Sequence, residues 1–159
     1  MKNNEILRSI RYTFDLNDSR MMAIFGLGGL EVNRAQVSDW LKKEEDPAFQ
    51  SLNDPQLAIF LNGLIVDRRG KQEGPQPTPE KHLTNNIVFK KLRIALDLHS
   101  DGLLEIMALA RFYISQHEIS AFFRKPEHKN YRLCKDQVLR NFLRGMQLKY
   151  RPDAPVIEP

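Results

Sequence analysis

Residues 32–41 read VNRAQVSDWL, and 82 positions later residues 114–123 read ISQHEISAFF. Both are helix starts. Asn33 and Ser115 are residue types whose side chains accept from a free amide at a helix N-terminus. Three positions on, Gln36 and Glu118 can return a hydrogen bond to the N–H of the capping residue, the reciprocal pairing of a capping box. The apolar residue before each cap, Val32 or Ile114, is spaced to pack on Val37 or Ile119 as a hydrophobic staple. Trp40 with Leu41, and Phe122 with Phe123, continue the buried stripe.

Sliding the chain on itself by 82 positions pairs residues 3–70 with 85–152 without a gap. Identities include Asn3/Asn85, Asn4/Asn86, Arg11/Arg93, Asp15/Asp97, Ser38/Ser120, Asp54/Asp136, Phe60/Phe142 and Gly63/Gly145, and most other core positions exchange one apolar residue for another. A gap-free match of this length identifies an internal repeat. Each copy is small for a core of its own, so burial between copies is the expected source of further stability. The expected architecture is all-α: a tandem duplication of a four-helix, helix-turn-helix-like repeat about a pseudo-two-fold axis. Its divisions are a first repeat at 1–70, a Pro-rich linker at 71–84, a second repeat at 85–152 and a disordered tail at 153–159.

Within each copy the first helix is expected near 4–14 and 86–96, with Ile6, Leu7, Ile10 and Phe14, or Val88, Phe89, Leu92 and Leu96, on one face. Arg11 and Asp15, like Arg93 and Asp97, are spaced as i, i+4 partners. A carboxylate at a helix C-terminus opposes the dipole, so a second partner is expected for Asp15 and Asp97, either amides of the next helix or a neighbouring arginine, with a ligand-binding carboxylate as the alternative. The second helix is expected near 19–28 and 101–110. Its glycines Gly26, Gly28 and Gly29 lack a preceding strand or a following GK[ST] and correspond to Ala108, Ala110 and Arg111, which points to helix packing or a C-terminal cap rather than a phosphate loop. The third helix should end near Lys43 and Lys125, and Asp54 and Asp136 are the expected caps of the fourth.

A composition of 42% hydrophobic and 28% charged residues is ordinary for a globular chain. No apolar run approaches the roughly 20 residues of a membrane span, and MKNNEILRSI has no signal-peptide core. The single cysteine, Cys134, excludes an intrachain disulfide and fits a reducing cytoplasm; it aligns with Leu52 and reads as a small buried hydrophobe. His82, His99, His117 and His128 lack metal-site spacing and none is repeated, so neither a metal nor a cofactor is expected. No catalytic triad order, nucleophile elbow or Walker-type loop is present, and the chain reads as a binding protein rather than an enzyme.

Charge supplies the partner. Residues 3–70 hold 8 Lys/Arg against 10 Asp/Glu, whereas residues 85–152 hold 13 against 6. A basic second repeat points to nucleic acid. On a helix-turn-helix reading, Gln116, His117, Ser120 and Ala121 would face outward on the third helix, and Arg124, Lys125, Arg132, Arg140 and Arg144 would meet phosphates. The alternative is a protein-protein adaptor using an apolar surface between the repeats.

The repeated Asn3-Asn4 start, Arg11, Asp15-Leu16, Val37-Ser38-Asp39-Trp40-Leu41 and Phe60-Leu61-x-Gly63 make the chain resemble the YehS-like family of small bacterial cytosolic proteins over essentially residues 1–152. That resemblance implies two copies of a domain of unknown function and a bacterial cytosolic location. It implies no activity, substrate or catalytic residue.

Overall fold

Caps and apolar spacing produce eight helices in the computed structural model, which describes residues 1–158: α1 (Asn3–Thr13), α2 (Asp18–Leu27), α3 (Arg34–Leu41), α4 (Asp54–Arg69), α5 (Asn85–Ala95), α6 (Ser100–Leu109), α7 (Gln116–Ala121) and α8 (Asp136–Tyr150). Pro159, the end of the expected tail, lies outside the described residues. Among them there is no strand. The protein is an all-α tandem repeat, α1 to α4 followed by α5 to α8.

Both capping boxes form. The Asn33 side chain accepts from the Gln36 amide at 2.8 Å and the Asn33 amide donates to Gln36 at 2.9 Å; Ser115 and Glu118 make the same pair at 3.1 and 3.2 Å. These helices stop at Leu41 and Ala121, earlier than the sequence spacing suggests. Buried asparagines explain the stop. Asn4 Nδ2 donates to the Trp40 carbonyl at 2.8 Å and to the Gln50 carbonyl at 2.9 Å, while its Oδ1 accepts from the Leu52 amide at 3.0 Å. Asn86 does the same with Phe122 (3.0 Å), Arg132 (2.8 Å) and Cys134 (2.9 Å). Carbonyls that another turn of helix would use are thereby taken, and the loop after the helix is tied to the first helix of its repeat.

The fourth helix is capped one residue earlier than expected. Asn53 pairs with Gln56 in a third capping box at 2.9 and 3.0 Å, and Lys135 stands at the start of α8 with no side-chain cap. Asp54 and Asp136, the expected caps, face sideways instead. Asp54 accepts from Asn3 Nδ2 at 2.7 Å and from the Leu83 amide at 2.8 Å; Asp136 accepts from Asn85 Nδ2 at 2.8 Å and from the Met1 amine at 2.7 Å. Each aspartate therefore grips the start of the other repeat. Those donors, the Met1 amine first and Asn85 next, hold the Asp136 carboxyl below its ordinary range.

The opposite ends of the helices are tied in the same reciprocal way. Asp15 and Asp97 adopt left-handed conformations, φ 50° and 52°, at the ends of α1 and α5. The following amides, Leu16 and Leu98, turn back to the Arg11 and Arg93 carbonyls at 3.0 Å, closing Schellman motifs. Asp15 pairs with Arg151 rather than with Arg11, and Asp97 pairs with Arg69, both at 3.4 Å. Arg151 also donates to the Tyr12 carbonyl at 2.8 Å, and Arg69 to the Ile94 carbonyl at 2.9 Å. Each arginine caps the first helix of the other repeat. The pseudo-two-fold relation is thus written into paired contacts.

Packing follows these ties. α1 lies on α8 and α4 on α5, each more extensively than the first and fourth helices of one repeat lie on each other, while α2 covers α4 and α6 covers α8. One apolar cluster spans both copies, from Ile6 to Met146, with Phe25, Phe60, Phe89 and Phe142 fully buried. Gly63 and Gly145 permit the two helix crossings, because a Cβ there would fall 1.9 Å from the Ile24 carbonyl oxygen and 2.1 Å from that of Ile106. The linker is anchored by Glu80, 3.1 Å from the buried Lys91, which also bonds Asn62 Oδ1. The segment expected as a disordered tail lies along α1 and α8: Tyr12 donates to the Pro155 carbonyl, Gln147 exchanges bonds with Ile157 at 2.9 and 3.0 Å, and Glu158 pairs with Arg144.

Two glycine substitutions should move in opposite directions in urea unfolding. Gly63→Ala is expected to cost about 2 kcal/mol or more, since only backbone can give way. Gly26→Ala, inside α2 with nothing within 4 Å of the new methyl, is expected to gain about 0.5–1 kcal/mol. Equal effects would contradict the crossing geometry.

Candidate functional site

The repeats share their helix order and apolar core, so their differences are concentrated on the surface. The largest difference lies on α7 and the loop that Asn86 ties down. Residues 111–135 contain six Lys/Arg and two Asp/Glu, whereas the matching residues 29–53 contain three and five.

The sequence-predicted contacts do not all meet there. Gln116 and His117 are exposed in the first turn of α7, and Ser120 folds back onto the Gln116 carbonyl at 2.8 Å. Ala121, expected to face outward, is buried under the loop. At six residues α7 rises only about 9 Å, short for a helix that reads a major groove. Arg124 and Lys125 follow directly in the loop. Arg132 lies 3.6 Å from Glu118, whose carboxyl is lowered mainly by its bonds with Ser115. Arg140 and Arg144 are elsewhere: Arg140 is 3.9 Å from Glu5 of the first repeat, and Arg144 bonds both Glu158 oxygens at 2.7 and 2.9 Å. Both serve the packing of α8 against α1 and the chain end.

Other cations take their place. Lys90, Arg111, Lys125, Lys129 and Lys135 have no carboxylate within ion-pair distance among the described residues. Tyr113 and Leu133 are 80% and 59% exposed, where the first repeat has Glu31 and Ser51. The alignment of the two copies held this signal, since a large apolar residue replacing a polar one on an exposed face is visible in it. The spatial grouping was not.

Two concavities flank this segment. One, of about 350 Å³, is walled by Ile87, Phe122, Phe123 and Tyr131 and also lined by Lys90, Arg124 and Lys125. The other, of about 220 Å³, runs between Phe112, Ile114, Leu133 and Val138 beside Arg132 and Lys135. Phe122 borders both. Trp40 and Phe122 are 4% exposed and belong to the core, and the two most exposed large apolar residues, Tyr113 and Leu133, lie on the second repeat. Among the described residues no three His, Cys, Asp or Glu side chains converge as metal ligands.

Residues 3–70 and 85–151 each match the family described as Protein of unknown function (DUF1456). The chain belongs to that family. It is 47% identical over 147 residues to the Uncharacterized protein YehS of Escherichia coli (strain K12), an alignment that covers 92% of this chain and 94% of that protein. No solved structure matches it. The two DUF1456 segments coincide with the two four-helix copies, α1 to α4 and α5 to α8. No helix among the described residues is long and apolar enough to cross a membrane.

Cys134, at the inner edge of this surface, is 1% exposed, and burial pushes its thiol up to about 12. The unfolded thiol ionises near ~8.5, so above that pH the unfolded chain binds fewer protons than the native one and stability falls as pH rises. Under reducing conditions, the stability lost between pH 8 and pH 10 should be roughly 1–2 kcal/mol smaller in Cys134→Ala than in the parent. Identical pH profiles in urea unfolding would contradict the burial argument.

Proposed function

We propose that this DUF1456 protein is a non-catalytic, cytoplasmic binding protein whose second repeat contacts nucleic acid. The supporting observation is a set of exposed cations, Arg111, Lys125, Lys129 and Lys135, that no internal carboxylate neutralises among the described residues, on a backbone whose first-repeat copy is acidic there. Uncompensated cations attract phosphate through counterion release, a sequence-independent term. With α7 so short, the reading favours backbone contacts and a single strand over groove recognition; the exposed Tyr113 ring supplies a surface on which a base can stack.

Tyr113 and Leu133 also support a second reading, a protein-protein adaptor, with its apolar surface on the second repeat instead of between the repeats. Salt separates the two. A complex held by phosphates weakens steeply with salt, whereas one held by Leu133 persists and is lost in Leu133→Ser.

Fluorescence anisotropy with mixed-sequence single-stranded DNA, RNA and duplex tests the first reading. Binding is expected at low salt. Lys125→Glu with Lys129→Glu should weaken single-strand binding by tenfold or more and flatten the log-log salt slope by about 1.4. Arg140→Glu with Arg144→Glu should leave that slope nearly unchanged and lower stability instead. Absence of binding at low salt, or indifference to the Lys125/Lys129 pair, would overturn the proposal.

A further inference from the structure

The cleft of about 350 Å³ has no acidic residue in its lining. Position by position, the first repeat shows how unusual that is. There Glu5 and Glu44 stand where the second repeat has Ile87 and Pro126, and Arg8, Lys42 and Lys43 stand where it has Lys90, Arg124 and Lys125. In the first repeat Lys2 Nζ lies 2.7 Å from Glu44 and Lys42 reaches Asp39 at 2.8 Å, while Glu5 accepts from the Lys2 amide at 3.0 Å and lies 3.9 Å from Arg140 of the second repeat. In the second repeat both glutamates have become apolar, while all three cations are kept.

Of those three cations, Lys90 and Lys125 have no carboxylate partner among the described residues, and Arg124 approaches only the His128 ring at 3.5 Å. The walls are apolar and held from behind. Phe123 packs on Phe89 at 4.9 Å between ring centres and carries the Arg93 guanidinium 4.7 Å from its own. A concavity of this volume, mostly apolar with a few convergent charged groups, suits a small ligand.

We propose that this cleft binds an aromatic anion: a flat ring against Ile87, Phe122 and Phe123, with an attached phosphate on Lys90, Arg124 and Lys125. The phosphate supplies negative charge where the first repeat has Glu5 and Glu44 at the matching positions. The cleft stands on its own geometry and shares Arg124 and Lys125 with the nucleic-acid surface. The same chemistry comes from two sources, a free mononucleotide or one nucleotide of a strand.

Calorimetry of the full chain with adenosine 5′-monophosphate, adenosine and inorganic phosphate tests it, with a short oligo(dA) as competitor. The monophosphate should bind at least tenfold more tightly than adenosine or phosphate alone. Lys90→Glu, on an exposed position, should weaken it by tenfold or more. Thr84→Lys with Pro126→Glu, which restores the ion pair of the first repeat, should abolish it with the helical circular dichroism retained. Displacement by oligo(dA) assigns the cleft to a strand, and its absence assigns the cleft to a free nucleotide; both support the site. Binding of the monophosphate without any oligonucleotide binding retains the cleft and removes the nucleic-acid reading. Monophosphate binding no tighter than that of phosphate, or unchanged in Lys90→Glu, overturns the inference, even where oligonucleotides still bind.

Discussion

The fold depends on one buried amide used twice. Asn4 and Asn86 lie inside the protein, where an amide without partners would be strongly unfavourable, and each spends its donors and acceptor on one carbonyl at the end of the third helix and two backbone groups of the loop that follows. The same bonds end the third helix, set the path of the loop, and deliver Leu52 or Cys134 to the core. The candidate site is a product of that path. Phe122, Arg124, Lys125 and Tyr131 line a cleft because the chain leaves α7 and crosses the start of α5 where Asn86 holds it.

The second constraint is reciprocity. Each repeat's aspartate at the start of its fourth helix and arginine at the end of it reach into the other repeat, and each first helix finds its main neighbour there. Neither copy holds a complete core. The buried positions of both are therefore bound to one another, and substitutions at them are mostly apolar for apolar, as with Trp40 and Phe122.

Freedom remains at the surface, and there the copies have separated. The first repeat neutralises its loop internally, with Lys2 on Glu44 and Lys42 on Asp39. The second keeps cations at the positions of Lys42 and Lys43, has Ala121 and Pro126 in place of Asp39 and Glu44, and exposes Tyr113 and Leu133. Not every cation follows this trend. Arg140 and Arg144, prominent in the sequence because they replace Ala58 and Asn62, are paired with Glu5 and Glu158. Their carboxylate partners lie beyond the helix that carries them, 14 residues on for Arg144 and in the other repeat for Arg140, so no local pattern could distinguish them from Lys125 or Lys129.

The repeat, its all-α class, the capping boxes at Asn33 and Ser115 and the apolar stripes were legible in the sequence by itself, because each is a short-range regularity set by helix geometry. The role of the paired asparagines was decided only by tertiary structure, as were the cap of α4 at Asn53 rather than Asp54, the engagement of the chain end, and the sorting of cations into internal ion pairs or an open surface. In each of those cases the energy of a polar side chain turns on the partner that packing brings within about 3 Å, and sequence separation carries no information about that distance.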